Sequence, residues 1–190
     1  MKKIFILFIL NSSLLILNSF PQSGWQLIPS GTTVSLQSIH FSDNNNGYAV
    51  GDGGTILKST NGGLTWQDQS IPGLTPLYDV FVFDQNNVVV VGQGGSIFKT
   101  TDGGLSWSSV QSGVSDDLLS VAFSGNNGVC GGSNQTIIYS TDIGESWNIF
   151  QTGFFGGGFY GASMLTPQMG FVAGENTIFQ PLFAKTTDSG

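Results

Sequence analysis

The chain has 190 residues, with five lysines, no arginine and twelve carboxylates, giving a formal charge of −7. That length suits one ordinary domain with a buried core, and the acidic balance argues against nucleic acid or anionic lipid as partners. Glycine fills 28 positions beside an apolar fraction of 39%, which favours many short strands and tight turns, an all-β reading with no helix of consequence.

At the N-terminus, Lys2 and Lys3 precede an apolar stretch from Ile4 to Leu17, broken only by Asn11, Ser12 and Ser13. Small and polar residues follow, Asn18-Ser19-Phe20-Pro21-Gln22-Ser23. This order predicts a secretory signal peptide over residues 1–23, cleaved between Ser19 and Gly24, and a secreted protein of the periplasm, medium or cell surface. No later run approaches the about 20 apolar residues of a membrane helix, so no span is expected after signal removal. Cleavage removes two lysines and leaves three against twelve acids, 3 − 12 = −9. Cys130 is the single cysteine and lies in the apolar run Gly128-Val129-Cys130, which reads as a buried small side chain.

From there the chain repeats. Trp25, Trp66, Trp107 and Trp147 are spaced by 41, 41 and 40 residues. Three of them end closely similar segments: Ser59-Thr-Asn-Gly-Gly-Leu-Thr-Trp66, Thr100-Thr-Asp-Gly-Gly-Leu-Ser-Trp107 and Ser140-Thr-Asp-Ile-Gly-Glu-Ser-Trp147. Thr186-Thr187-Asp188-Ser189-Gly190 begins a further copy. Upstream of each lie three apolar runs, as in Leu36–Phe41, Tyr48–Gly51 and Thr55–Lys58. Each unit therefore offers three short strands, a tight turn and a fourth strand led by Trp, which is the pattern of a propeller blade. The last period is longer, and the sequence places its insertion around Gln180 to Ala184. Trp25-Gln26-Leu27-Ile28 is expected to be a fourth strand without its first three, of the kind that closes a ring by completing the last blade.

The turn has a physical rationale. Asn61, Asp102, Asp142 and Asp188 can accept hydrogen bonds from backbone N–H groups ahead of them, while Gly63, Gly104 and Gly144 supply positive φ. Trp66, Trp107 and Trp147 then cover the hairpin, each serving its own blade and a neighbour.

The motif Ser/Thr-x-Asp-x-Gly-x-Ser/Thr-Trp resembles the Asp-box of sialidases, certain xyloglucanases and sortilin-type receptors. The fuller unit, Val-Gly-x-Gly-Gly-x-Ile-x-Lys-Thr-Thr-Asp-Gly-Gly, is most similar to the photosystem II stability and assembly factor-like repeat family. The resemblance covers the chain from Trp25 onward. It implies an Asp-box β-propeller segment over 24–190, with four-stranded antiparallel blades, four of them represented in an incomplete ring and the fourth truncated. A longer ring, often of seven blades, would need three further units.

The resemblance also sorts the loops. Asp-box turns share one face with the loops between first and second strands, and ligands of propellers usually sit on the opposite face. Candidate binding residues there are Asp52, Gln93, Asn134 and Glu175, one at or beside the same blade position, with Asp116 and Asp117 in an inter-blade loop. Phe155 and Tyr160, in the glycine-rich stretch Phe154–Gly161, offer aromatic surface for a sugar or a protein. A sialidase would need a cluster of arginines, and the chain has none. Other glycosidases need two carboxylates facing across about 5–9.5 Å, and no sequence pair suggests it. No catalytic residue, cofactor or metal site is assigned. His40 is the single histidine and alternates with Ile39 and Phe41 as a strand face residue. The expected function is a secreted or surface scaffold that binds a protein or glycan. The alternative is the N-terminal part of an extracellular Asp-box glycoside hydrolase whose catalytic residues lie beyond residue 190.

Overall fold

The computed structural model describes residues 24–190 except Gln151, Phe154 and Phe155. The signal peptide expected over 1–23, and Phe155 among the candidate residues, therefore lie outside the described residues.

Alternating and fully apolar runs form antiparallel sheets that follow the repeat. Blade 1 contains β1 (Leu36–Phe41), β2 (Gly47–Gly51), β3 (Ile56–Ser59) and β4 (Gln67–Asp68). Blade 2 contains β5 (Leu77–Val82), β6 (Val88–Gly92), β7 (Ile97–Thr100) and β8 (Ser108–Val110). Blade 3 contains β9 (Leu118–Ser124), β10 (Asn127–Gly132), β11 (Ile137–Ser140) and β12 (Asn148–Phe150). Blade 4 has three strands, β13 (Gly158–Met164), β14 (Gly170–Glu175) and β15 (Pro181–Thr186). In each sheet the strands pair in chain order, and the ring is not closed.

The first strands β1, β5, β9 and β13 stand side by side along the centre, and β4, β8 and β12 lie outermost. The second strands of blades 2 and 3 are covered on both faces by neighbouring blades. That is why β6 is an unbroken valine run, Val88 to Val91, with every residue buried. Three apolar clusters fill the seams: Tyr48, Val50 and Ile56 meet Leu77 and Val80 between blades 1 and 2, Val89 and Ile97 meet Leu118 and Val121 between blades 2 and 3, and Val129 and Ile137 meet Phe159 and Val172 between blades 3 and 4. Each fully buried side chain of this size is worth roughly 1.5–3 kcal/mol relative to exposure, so the seams hold the blades together. Two of the three indoles contribute as expected, while Trp66 packs on Phe41 of its own blade. Trp107 of blade 2 packs into the first seam, edge-on to Tyr48 of blade 1 at 6.2 Å, and Trp147 meets Phe123 at 5.7 Å in the second.

Two expectations fail. Trp25–Ile28 forms no strand, and Trp25 and Leu27 are 92% and 98% exposed, because the ring stays open and no third strand comes within pairing reach. The extra residues of the last repeat lie in the turn Asn176–Gln180, since Pro181–Thr186 is the regular third strand β15. There Asn176 Oδ1 accepts from Ile178 N–H at 3.0 Å and Gln180 N–H at 2.9 Å.

Candidate functional site

The Asp-box turns are built as their residue types require. Asp102 accepts from Ser106 N–H at 2.9 Å, Ser106 Oγ at 2.5 Å and Thr100 Oγ1 at 2.7 Å. Asp142 does the same with Ser146 and Ser140, whereas Asn61 accepts from Thr65 N–H and Ser59 Oγ and donates through Nδ2 to Thr65 Oγ1. Asp188 accepts from Thr186 Oγ1 at 2.8 Å. The Ser106 hydroxyl and N–H, with Thr100, hold Asp102 down to about 2. Gly63, Gly104 and Gly144 have φ of 82°, 86° and 75°, the left-handed region that disfavours a Cβ. These turns bond to the loops between first and second strands, as in Gly62 N–H to Asn45 O at 3.0 Å and Gly103 N–H to Asn86 O at 3.0 Å. With these acceptors and hydroxyls engaged in closing the turns, the Asp-boxes are structural.

The opposite face is assembled from another repeated bond set. Asp52 N–H donates to Ser35 O, Gln93 N–H to Pro76 O and Ser133 N–H to Asp117 O, at 3.0, 3.0 and 2.8 Å, tying each loop between second and third strands to the segment entering its blade. Beside them, every first strand carries a bulge whose extra residue is unpaired. These residues are Gln37, Tyr78, Leu119 and Tyr160. Gln37 Nε2 donates to Asp52 Oδ1 at 3.1 Å. Tyr78 Oη lies 3.5 Å from Asp117 Oδ2, and Asp117 Oδ1 accepts from Gly94 N–H of blade 2 at 2.8 Å. Burial, then the charges of Asp117 and Asp52, raise the Tyr78 hydroxyl above its ordinary value. The rim thus carries two bonded pairs, Gln37–Asp52 within blade 1 and Tyr78–Asp117 between blades 2 and 3, with the charge of Asp52 acting on Tyr78 between them.

Asp116 turns away from this rim, accepting from Asn134 Nδ2 at 2.6 Å and Thr136 Oγ1 at 2.7 Å in its own blade. The adjacent carboxylates Asp116 and Asp117 therefore serve different blades and do not face each other. Gln93 is exposed, and Tyr160 is 56% exposed. Glu175 ends β14 opposite Gly158 and Pro181. Gln37 and Tyr78 were not visible as site residues from the sequence, because a bulge breaks the alternation by which strand faces are assigned.

Inside the channel, polar side chains of one first strand cap the edge of the next. Ser38 Oγ donates to Asp79 Oδ1 at 2.6 Å, and Asp79 Oδ2 accepts from Val121 N–H at 2.7 Å. His40 Nδ1 accepts from Val82 N–H at 2.8 Å while its ring stacks on Phe81 at 4.7 Å. Burial lowers the His40 imidazole below its ordinary 6.5, partly offset by the Asp79 charge. Far from being an idle face residue, His40 bridges blades 1 and 2. Among the described residues, no three His, Cys, Asp or Glu side chains gather into a metal site, and no helix is long and apolar enough to cross a membrane.

Comparison with known proteins fits this architecture. A solved structure titled YCF48 bound to D1 peptide is similar with a TM-score of 0.62 and 14% identity, over 90% of this chain and 83% of that one. YCF48 from Cyanidioschyzon merolae gives 0.65 and 19%, over 80% of this chain and 50% of that one. An ancestral GH74 enzyme gives 0.61 and 16%, over 82% of this chain and 25% of that one. At these identities the likeness concerns the fold. Photosystem II assembly protein Ycf48 of Synechococcus sp. is 41% identical over 54 residues, which are 27% of this chain and 16% of that relative. The family model described as photosynthesis system II assembly factor YCF48 matches residues 17–115 and 66–153, so most of the repeat array falls within it and the chain belongs to that family.

Proposed function

We propose that the chain is an exported propeller scaffold whose acidic face holds a cationic protein segment. The observation that carries this reading is where the lysines go. They reach toward the Asp-box end, where Asp102, Asp142, Glu145 and Asp188 also lie and Lys99 pairs with Glu145, which leaves the opposite face with carboxylates and no described lysine. Lys58 Nζ donates to Gly103 O at 2.7 Å and Lys99 Nζ to Ile143 O at 2.9 Å, both reaching the Asp-box turn of the next blade. Lys185 pairs with Phe171 at the corresponding strand position, its ammonium 5.7 Å from that ring. All three described lysines therefore sit toward the Asp-box end. The opposite face presents Asp52, Asp116, Asp117 and Glu175 with the rings of Tyr78 and Tyr160. Carboxylates attract lysine and arginine, and tyrosine rings add a cation–π surface of about 0.5–1 kcal/mol at exposed sites. A YCF48 bound to a D1 peptide supports a protein as the kind of partner, and the basic, apolar and polar order of residues 1–23 supports export.

The test uses protein recovered outside the cytoplasm and compares a lysine-rich with a glutamate-rich peptide of equal length by calorimetry. The lysine-rich peptide should bind, weaken at high salt, and lose roughly tenfold in affinity on the double change Asp52→Asn and Asp117→Asn. Equal binding of both peptides, or salt-independent binding of glycans alone, would overturn the charge reading. Recovery only from the cytoplasm would overturn export.

A further inference from the structure

At the junction of blades 2 and 3 the repeat is broken at several positions that come together in space. In blades 1 and 2 the turn between second and third strands is Gly53-Gly54 and Gly94-Gly95, all at positive φ. Blade 3 places Asn134 and Gln135 there, at φ of 53° and 59°. That conformation is costly for a residue with a side chain, and such residues gather at ligand clamps. In the segment entering the blade, Asp116 precedes the acceptor of the Ser133 N–H bond, where the two earlier copies have Val34 and Thr75. On the fourth strand, Ile149 pairs with Ile138 at the register where Asp68 pairs with Leu57 and Ser109 with Phe98.

These departures meet. Asp116, Asn134, Gln135 and Ile149 line one cleft of about 430 Å³, together with Val114. Its walls belong to blades 2 and 3, each with all four strands, and to the loop between them. Ile138 lies in the seam of those two blades, so Ile149 opposite it faces blade 2, where a Cβ at Gly113 would stand 3.3 Å from its Cδ1. Even there Ile149 is 41% exposed. Asp116 Oδ1 accepts from Asn134 Nδ2 at 2.6 Å and Oδ2 from Thr136 Oγ1 at 2.7 Å. These bonds orient the carboxylate and use one lone pair on each oxygen, leaving capacity for a further donor.

We propose that this cleft seats a basic residue of the bound segment together with an adjacent aliphatic residue. The inference rests on the acidic-face reading and adds an apolar requirement to it. Asp116 receives the ammonium or guanidinium in charge-assisted bonds, while Ile149 and Val114 cover the aliphatic side chain. Charge alone would let a cationic segment slide along the face; the cleft fixes where it is gripped.

Two lysine-rich peptides of equal length test this on the full chain, one with a central Lys-Leu pair and one with Lys-Ser in its place. By calorimetry the leucine peptide should bind about tenfold more tightly. Ile149→Ser, which installs the residue of blade 2, should abolish that preference and leave the serine peptide unaffected, with circular dichroism unchanged. Asp116→Asn should weaken both peptides by a similar factor. A photoreactive leucine in the first peptide should label the protein around Ile149, a readout that needs no variant. Equal affinities for the two peptides, a preference that survives Ile149→Ser, or labelling elsewhere would overturn this inference and leave the acidic-face reading standing. Binding of neither peptide overturns both.

Discussion

Ile143 adopts a φ of 61° at the turn position where blades 1 and 2 place Gly62 and Gly103. A β-branched residue there carries a left-handed cost of about 1–2 kcal/mol, and Ile143 is half-buried, which returns only part of it. The carbonyl still receives the Lys99 ammonium, a bond that glycine would keep. Ile143→Gly should therefore stabilise the protein by roughly 0.5–1 kcal/mol, read as a higher denaturation midpoint with unchanged slope. A lower midpoint would mean that the side chain's packing outweighs its backbone strain. This site was legible as an irregularity of the motif, Asp-Ile-Gly in place of Asp-Gly-Gly, but its left-handed backbone was not.

Among the elements, the Asp-box turn was the most legible, since its side chains bond within a few residues of themselves. The three occupied copies also contain a natural substitution series. Asn61 keeps the acceptor contact to Thr65 N–H at 3.0 Å and turns its amide to Thr65 Oγ1 at 2.8 Å. Asp102→Asn should accordingly lower the melting temperature less than Asp102→Ala, which leaves Ser106 N–H, Ser106 Oγ and Thr100 Oγ1 without their acceptor. Equal losses in the two variants would show that the turn is held by its glycines alone. The bulged first strands were the least legible elements. Their extra residue interrupts a period of two, so Gln37 and Tyr78 could not be assigned to a face until the partner strand was seen. Trp25–Ile28 shows the opposite limit: its local pattern is that of β4, β8 and β12, but strand formation needs a paired edge that nothing in the segment supplies.

At the scale of the whole molecule, the repeat period predicted the number of blades and the assignment of loops to faces, because both follow from strand order. The polar contacts across seams were not predicted, since they join residues about one repeat apart whose partners differ from blade to blade. One of them makes stability depend on pH. The folded His40 has a lowered pKa, so the unfolded chain binds the proton more readily, and stability is complete above about 6.5 and declines as pH falls below it. His40 is the only histidine, which separates this loss from a second one. Asp102, held at about 2, contributes stability that is lost as pH falls through the ordinary carboxylate range toward 2. Thermal melts should show a first decline between pH 7 and 5 that His40→Asn removes, and a later acid decline that it keeps. A first decline surviving in His40→Asn would place its origin elsewhere.

The polar relay along the channel is unequal from one seam to the next. Ser38 reaches Asp79, and Asp79 reaches Val121, but Ser120 finds no partner for its hydroxyl. The corresponding residue of the following blade is Gly161, beside which a Cβ would meet open space. The third seam is fastened elsewhere instead. Asn134 N–H donates to Gly157 O at 2.8 Å, Gln135 Nε2 to Gly156 O at 2.8 Å and Asn127 Nδ2 to Pro167 O at 2.7 Å, so its clasp lies at the rims, whereas the first two seams are also clasped through the channel.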